Sequence, residues 1–378
     1  MTALPKFVAL YAAMYGAYGV ASPFLPSFLG SRGLTPEEIG LALGAATALR
    51  LVSAPIAGRI GDRLGALRAV LAISIAAAAF VTLGYLAARG FWALLPLVLL
   101  HAAALAPMTV LADALSLGAA SRPPGFEYGR VRGTGSAAFI LGTLVSGQAI
   151  GAFGLEVIVV LQALLLGAAT LAATQVPEIE HHHRLKPEAT VGVGTLLRIA
   201  RYRNLVLLAA LVLGSHAMHD AFAVIRWNAA GISPVASSLL WSEAVAAEVL
   251  VFWLIGPALV TRLTPAGAMA LAAAAGVLRW TVMAQSTDVM ALALVQPLHG
   301  LTFALLHLAC MRVLVRIVPQ GLEGTAQALY GTVGVGAATA LLTLASGALY
   351  GRLGPQAFWF MAALCAAALP LTLKLRGA

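Results

Sequence analysis

Charge is scarce in this chain. Only 10% of its 378 residues are Asp, Glu, Lys or Arg, and 14 of them are acidic. Soluble domains carry about 25% charged residues to cover their surface, so a water-soluble globule is excluded. Cysteine is scarcer still. Cys310 and Cys365 both lie in apolar runs; they read as buried small side chains, neither a bridge nor a metal site. Clustered acids that would hold a catalytic metal, or a nucleophile beside its base, are missing too, which argues against an intramembrane enzyme such as a lipid-modifying transferase. No repeated filter loop is visible, which argues against a passive channel.

Apolar side chains fill the space instead, at 61% of the chain. Runs of about 20 residues suffice to cross a ~30 Å hydrocarbon core as helices. Cutting at turn and charge clusters predicts twelve, near 5–29, 36–58, 67–88, 92–117, 128–152, 156–175, 203–228, 234–258, 265–285, 289–314, 324–350 and 355–374. The first reads as a spanning helix and not as a cleavable leader. The fold class is therefore all-α integral membrane, with twelve transmembrane helices.

One long polar connection, 177–202, separates a first bundle at 1–176 from a second at 203–378, each of six helices. The connection carries His181, His182 and His183, which read as a solvated loop and not a metal site. The net charge of +9 is spread over short connections with no contiguous basic face, so nucleic acid is not an expected partner. Seventeen of the 23 Lys and Arg fall on one side of the predicted spans and four on the other. That bias predicts both termini and the central connection in the cytoplasm.

The two halves repeat. A shift of 198 places Gly33, Pro36, Gly58 and His101 on Gly231, Pro234, Gly256 and His299. Later the shift is 200, with Ser146, Gly147, Gly151 and Gly154 on Ser346, Gly347, Gly351 and Gly354. Parallel six-helix repeats of this kind belong to transporters that work by alternating access.

After the second span the chain reads Gly58-Arg59-Ile60-Gly61-Asp62-Arg63-Leu64-Gly65-Ala66-Leu67-Arg68. Glycines permit a tight turn, and Asp62 is placed to meet a helix N-terminus. The segment resembles the signature of the major facilitator superfamily, and the resemblance makes Gly58, Asp62, Arg63, Gly65 and Arg68 gating residues. Where the family has a basic residue after the last glycine, this chain has Ala66, with Arg68 two positions on. In the second half, Gly256 to Thr264 is a worn copy without the Asp.

Further segments resemble the phenylpropionate permease branch of that superfamily. They are Asp113-Ala114-Leu115, Glu127-Tyr128-Gly129-Arg130-Val131-Arg132, Ala247-Glu248-Val249, Gly276-Val277-Leu278-Arg279-Trp280, Leu298-His299-Gly300-Leu301-Thr302-Phe303 and His307-Leu308-Ala309-Cys310-Met311-Arg312. The resemblance implies proton-coupled symport of a small organic anion, an aromatic carboxylate such as 3-phenylpropionate, across the inner membrane of a bacterial cell. Sugar or nucleoside uptake and proton-driven efflux are same-fold alternatives. No cofactor is expected beyond the proton as coupling ion, and the partners are a small-molecule substrate and the lipid bilayer around a monomer. The branch tends to have Tyr after the seventh-span histidine; this chain has His219 and Asp220, a departure that bears on the ligand.

Ionisable groups inside hydrocarbon are costly and mark functional sites. The resemblance places spans 1, 4, 7 and 10 around a cavity, and their residues agree. Tyr11, Tyr15, Tyr18 and Ser22 share one helix face, as do His216, His219, Asp220 and Trp227. His299, Phe303 and His307 form a third stripe, and His101 repeats His299. Tyr15, Tyr18, Arg50, His101, Trp227, His299, Phe303 and His307 are therefore the expected substrate contacts, although Tyr and His also serve as interhelical hydrogen-bond partners. Glu248 is the first candidate for the coupling proton, with Asp220, His216 and His219 as the rival group. Arg50, its repeat equivalent, suits a substrate carboxylate or an acidic neighbour. Span 9 is peripheral in the superfamily, so Arg279 is expected to pair with Glu243. Asp113 is expected to join Arg63 or Arg68 in the gate, with Arg130 and Arg132 at the same level.

Overall fold

The computed structural model describes residues 3–122, 125–178 and 193–377; the histidine triple at 181–183 lies outside them. Its contacts divide the chain into two units. The first comprises Met1–Arg184 with Ser233–Leu239, and the second Leu185–Ile232 with Leu240–Ala378.

Unit 1 is built from α1 (Ala3–Ala21), α2 (Leu25–Ser31), α3 (Pro36–Leu64), α4 (Leu67–Ala87), α5 (Phe91–Ala120), α6 (Tyr128–Phe153) and α7 (Val157–Gln175). Proline and threonine start α3 sharply. Thr35 Oγ1 accepts the Glu38 N–H at 3.3 Å, and the Glu38 side chain accepts the Thr35 N–H at 2.9 Å, a reciprocal cap that satisfies two of the helix's orphan donors. The far end differs from expectation. The glycine-rich motif continues α3 to Leu64, and only Gly65, with φ 61° and ψ 30°, turns the chain; the left-handed cap needs a residue without a β-carbon.

Helix α1 packs along α6 and α7, and α5 along α3 and α4. Small residues bring α1 and α6 together: a β-carbon on Gly142 would lie 2.5 Å from the Gly16 carbonyl oxygen. At that crossing the Thr143 hydroxyl donates to Gly19 O at 2.9 Å, a hydrogen bond suited to helices in lipid.

Unit 2 contains α8 (Val193–Arg198), α9 (Ala200–Gly214), α10 (His216–Ala229), the part of α11 (Pro234–Leu250) that follows Leu239, α12 (Gly256–Gln285), α13 (Val289–Val295), α14 (Leu306–Ile317), α15 (Glu323–Leu329), α16 (Ala338–Leu353) and α17 (Phe358–Leu373). Three π-helical stretches interrupt it, Val251–Ile255, Gly300–Leu305 and Tyr330–Ala337. At Thr264 the helix breaks, with φ 64° and ψ 159°.

Among the described residues, nine continuous helical stretches are long and apolar enough to cross a membrane, ten when the bent pair α1 and α2 is included. Two of these, Pro234–Gln285 and Glu323–Leu373, run 52 and 51 residues, more than twice what one crossing needs. Each is interrupted, at Thr264 and at Gly354–Ala357 respectively, and the twelve expected passages are reached only by dividing both there. Large apolar side chains stand exposed along the bundles, Phe80 at 79% and Leu294 at 72%, as lipid-facing surfaces require.

Candidate functional site

The centre of unit 2 is an arginine held by neutral partners. Arg279 on α12 has no exposed surface. It donates from Nη2 to Gln296 Oε1 at 2.7 Å, faces His219 Nε2 from the same nitrogen at 3.3 Å, and faces His299 Nδ1 from Nη1 at 3.1 Å. Its guanidinium also lies 4.6 Å from the Trp280 ring. Arginine only donates hydrogen bonds, so the two facing ring nitrogens accept. Each imidazole then carries its proton on the other nitrogen. In both cases that nitrogen points at a carboxylate: His299 Nε2 lies 3.3 Å from Glu248 Oε2, and His219 Nδ1 lies 3.4 Å from Asp220 Oδ1.

The result is a chain of five side chains, Asp220–His219–Arg279–His299–Glu248, with a permanent cation in the middle and an acid at each end. The ends are wetter than the middle, since the Asp220 and Glu248 side chains are 58% and 26% exposed.

Local structure fixes this arrangement. A β-carbon on Gly300 would lie 2.6 Å from the Ala247 carbonyl oxygen, so glycine lets the helix bearing His299 approach the turn bearing Glu248. The π-helical stretch that follows changes the helical phase and stacks the Phe303 ring on His299 at 5.5 Å. His216 lies 3.0 Å from Thr302 Oγ1. That hydroxyl is itself directed to the His299 carbonyl at 3.2 Å, which ties His216 to the same network. Below Phe303 a cavity of about 350 Å³ opens, lined by His307, Tyr330, Met311 and Leu213 among others.

Unit 1 holds a different network. Asp113 on α5 accepts hydrogen bonds from the Tyr11 and Tyr128 hydroxyls, the latter at 2.8 Å, and pairs with Arg132 at 3.6 Å. Arg132 also donates to the Tyr15 hydroxyl, and Tyr18 donates to Leu105 O at 3.2 Å. Arg50 on α3 is exposed, and its charge acts on Tyr18, Tyr85 and His101.

Several expectations change. Arg279 makes no ion pair with Glu243; it sits inside the unit because α12 packs closely on α17 and on the stretch Gly300–Leu305. Asp113 meets Arg132 and two tyrosines, not Arg63 or Arg68, because α1 and α6 flank it. Arg130 points away and pairs with the exposed Glu127 at 2.9 Å. Arg68 is engaged by Glu178, whose two carboxylate oxygens each lie 3.2 Å from its backbone N–H. His101 and Trp227 do not line an open surface. His101 is 3% exposed, 3.1 Å from Thr82 Oγ1 and 3.4 Å from the Tyr85 hydroxyl, an interhelical link between α4 and α5. Trp227 is fully buried behind the His219 ring, 5.9 Å away. Glu178, Gln296 and Tyr330 were not among the expected site residues; Arg132 was expected at the level of the gate, but nothing in its spacing marked Asp113 as its partner.

Spanning helices that keep ionisable networks in their interiors define a multi-pass membrane transporter, and this one has the major facilitator fold. Residues 5–361 match the sequence model described as the MFS_1 like family, and the chain belongs to that family. It is 33% identical over 356 residues to a protein of Escherichia coli (strain K12) named "Probable 3-phenylpropionic acid transporter", covering 93% of this chain and 92% of that one. The crystal structure of the nucleoside transporter NupG superimposes with a TM-score of 0.86 at 16% identity, over 100% of both chains. The human organic anion transporter MFSD10 (TETRAN) does so with a TM-score of 0.62 at 18% identity, over 98% of both. At those identities the two structures speak for the fold.

Proposed function

We propose that the protein is a proton-coupled symporter of a small organic anion, an aromatic carboxylate such as 3-phenylpropionate, working by alternating access in the inner membrane of a bacterial cell with both termini cytoplasmic. The observation that carries the coupling is the Asp220–His219–Arg279–His299–Glu248 chain. Arg279 stays charged at any physiological pH and balances one of the two acids. The second acid meets a titratable imidazole, His299 Nε2 at 3.3 Å from Glu248 Oε2, and is the group that cycles between ionised and protonated. Glu248, the less exposed of the two, is the coupling acid, and Asp220 the balancing one. The neutral histidines are donors to both, so a proton gained at Glu248 alters the hydrogen bonding of His299 and, through it, of Arg279.

The substrate class is supported by the chemistry on offer and by the printed name of the Escherichia coli relative. Phe303, His307 and Tyr330 present ring faces and edges around the unit 2 cavity, a lining that suits an aromatic ligand. Arg50, Tyr15 and Tyr18 present a cation and phenol groups in unit 1, donors that suit a carboxylate. The Lys and Arg bias of the connections supports the orientation.

The test is substrate-driven charge and proton movement in proteoliposomes, with 3-phenylpropionate, other aromatic acids, nucleosides and sugars. Aromatic acids are expected to carry protons inward. Glu248→Gln is expected to keep substrate exchange and lose proton movement. Unchanged proton movement in both Glu248→Gln and Asp220→Asn would overturn the coupling assignment. Silence toward aromatic acids beside a response to nucleosides or sugars would overturn the substrate class and leave the fold standing.

A further inference from the structure

The arginine-rich end of unit 2 encloses a cavity of about 650 Å³. Thr264 and Ala266 border it where α12 restarts, Arg312 and Arg316 border it at the end of α14, and Arg376 closes it beyond α17. None of the residues lining it is acidic, and α12, α14 and α17 contain no Asp or Glu along their whole length. Arg312 donates to a neutral group, Thr261 Oγ1, at 3.1 Å.

The repeat supplies the comparison. In unit 1, α7 ends at Gln175 and Glu178 follows three residues on; in unit 2, α17 ends at Leu373 and Arg376 follows three residues on. Glu178 and Arg376 thus hold like places after the last helix of each unit, and the early shift of 198 carries Arg68 to Ala266. In unit 1 the Glu178 carboxylate accepts the Arg68 N–H in the first turn of α4 and pairs with the Arg68 side chain at 3.9 Å. Unit 2 keeps the helix start, replaces the carboxylate with a cation, and surrounds the place with two more. The chain's own anion has been exchanged for a cation-lined cavity.

Thr264 adds an independent sign. Among the described residues it alone has positive φ without being glycine, at a conformation held only when its surroundings impose it and found mostly at ligand clamps and other functional sites.

We propose that this cavity binds the phosphate of an anionic membrane lipid, which takes in unit 2 the place of the Glu178 carboxylate in unit 1. Guanidinium groups fit phosphate oxygens in pairs, and basic pockets at the cytoplasmic ends of spanning helices suit lipid headgroups. A lipid is favoured over free phosphate because apolar side chains flank the cavity at the same level. Leu263, Val315 and Leu373 are 41%, 73% and 55% exposed, a surface for acyl chains. The proposal needs the membrane placement but not the transport reading, and its test is independent of substrate.

The experiment compares purified protein in detergent with added phosphatidylglycerol, phosphatidylcholine or inorganic phosphate. It reads the lipid retained by mass spectrometry and the thermal unfolding midpoint. Wild type is expected to retain phosphatidylglycerol over phosphatidylcholine and to unfold at higher temperature with it. Arg376→Gln or Arg312→Gln should each lower that preference about fivefold. Arg376→Glu restores the unit 1 arrangement; it should abolish the preference while leaving the midpoint in lipid-free detergent unchanged. Arg198→Gln, on the same end but outside the cavity, should keep it. Three results would overturn the proposal: equal retention of the two lipids by wild type, a preference that survives Arg376→Glu, or inorganic phosphate alone reproducing the thermal shift. Should Arg312→Gln fail to fold, the surface variant Arg376→Glu decides alone.

Discussion

In unit 1 the buried end of the ionisable network is phenolic; in unit 2 it is imidazole and guanidinium. Asp113 collects the hydroxyls of Tyr11 and Tyr128 and the charge of Arg132, so acid and cation meet directly. In unit 2 the cation and both acids are kept apart by histidines. The helices of unit 1 are all α, whereas unit 2 has three π-helical stretches, among the described residues. A phenol holds its proton far above neutral pH and a histidine does not. The difference teaches that the repeat keeps a scaffold while its halves carry different chemistry: an acid paired directly with its cation in the first, and histidines set between cation and acids in the second.

The sharpest way to break this comparison is to remove each centre in turn. Arg279→Gln leaves two acids and the imidazoles without their donor, and should cost about 3–5 kcal/mol as a broken buried charge network, read by chemical unfolding in detergent, with uptake lost. Asp113→Asn keeps an acceptor for both tyrosines and should cost about 1–3 kcal/mol, with the pH dependence of uptake unchanged. Equal costs, or a changed pH profile in Asp113→Asn, would erase the division of labour.

A second step asks whether His299 acts as a donor–acceptor bridge. Glutamine also offers one acceptor and one donor, so His299→Gln should retain part of the uptake. His299→Leu offers neither and should be less stable than His299→Gln by about 1–3 kcal/mol in thermal unfolding. The smallest effects concern the backbone. Gly300→Ala would press a β-carbon on the Ala247 carbonyl and should cost about 1–3 kcal/mol. Gly133→Ala on α6, with nothing within 4 Å, should stabilise its helix by about 0.5–1 kcal/mol.

Much of this was legible in the sequence. The apolar runs, the repeat, the tyrosine stripe of α1 and the common face of His216, His219 and Asp220 follow from spacing along the chain, whereas Glu248 stands in the sequence only as a rival to that group. Partners across helices did not. Depth along the spans pairs Arg279 with Glu243, whereas its true neighbours depend on how α12 is rotated against α17 and the π-helical stretch Gly300–Leu305. Asp113 was assigned to the gate for the same reason. The π-helical stretches shift facing by a residue, and no residue pattern in a Gly- and Ala-rich chain announces them. Glu178 went unread because its role lies at another helix's first turn.

Arg279 also bears on how the chain enters the membrane. The passage Pro265–Gln285 is mostly alanine and other small residues, which favour insertion weakly, and an arginine near a helix centre opposes it by about 2.5–3.5 kcal/mol. Its acceptors Gln296 and His299 lie 17 and 20 residues further on, in the next helix to be synthesised, while His219 is already in place two passages earlier. The ninth passage is thus expected to be a poor substrate for insertion by itself and to settle in the bilayer as a hairpin with the tenth. Synthesis halted between them would leave the ninth helix outside.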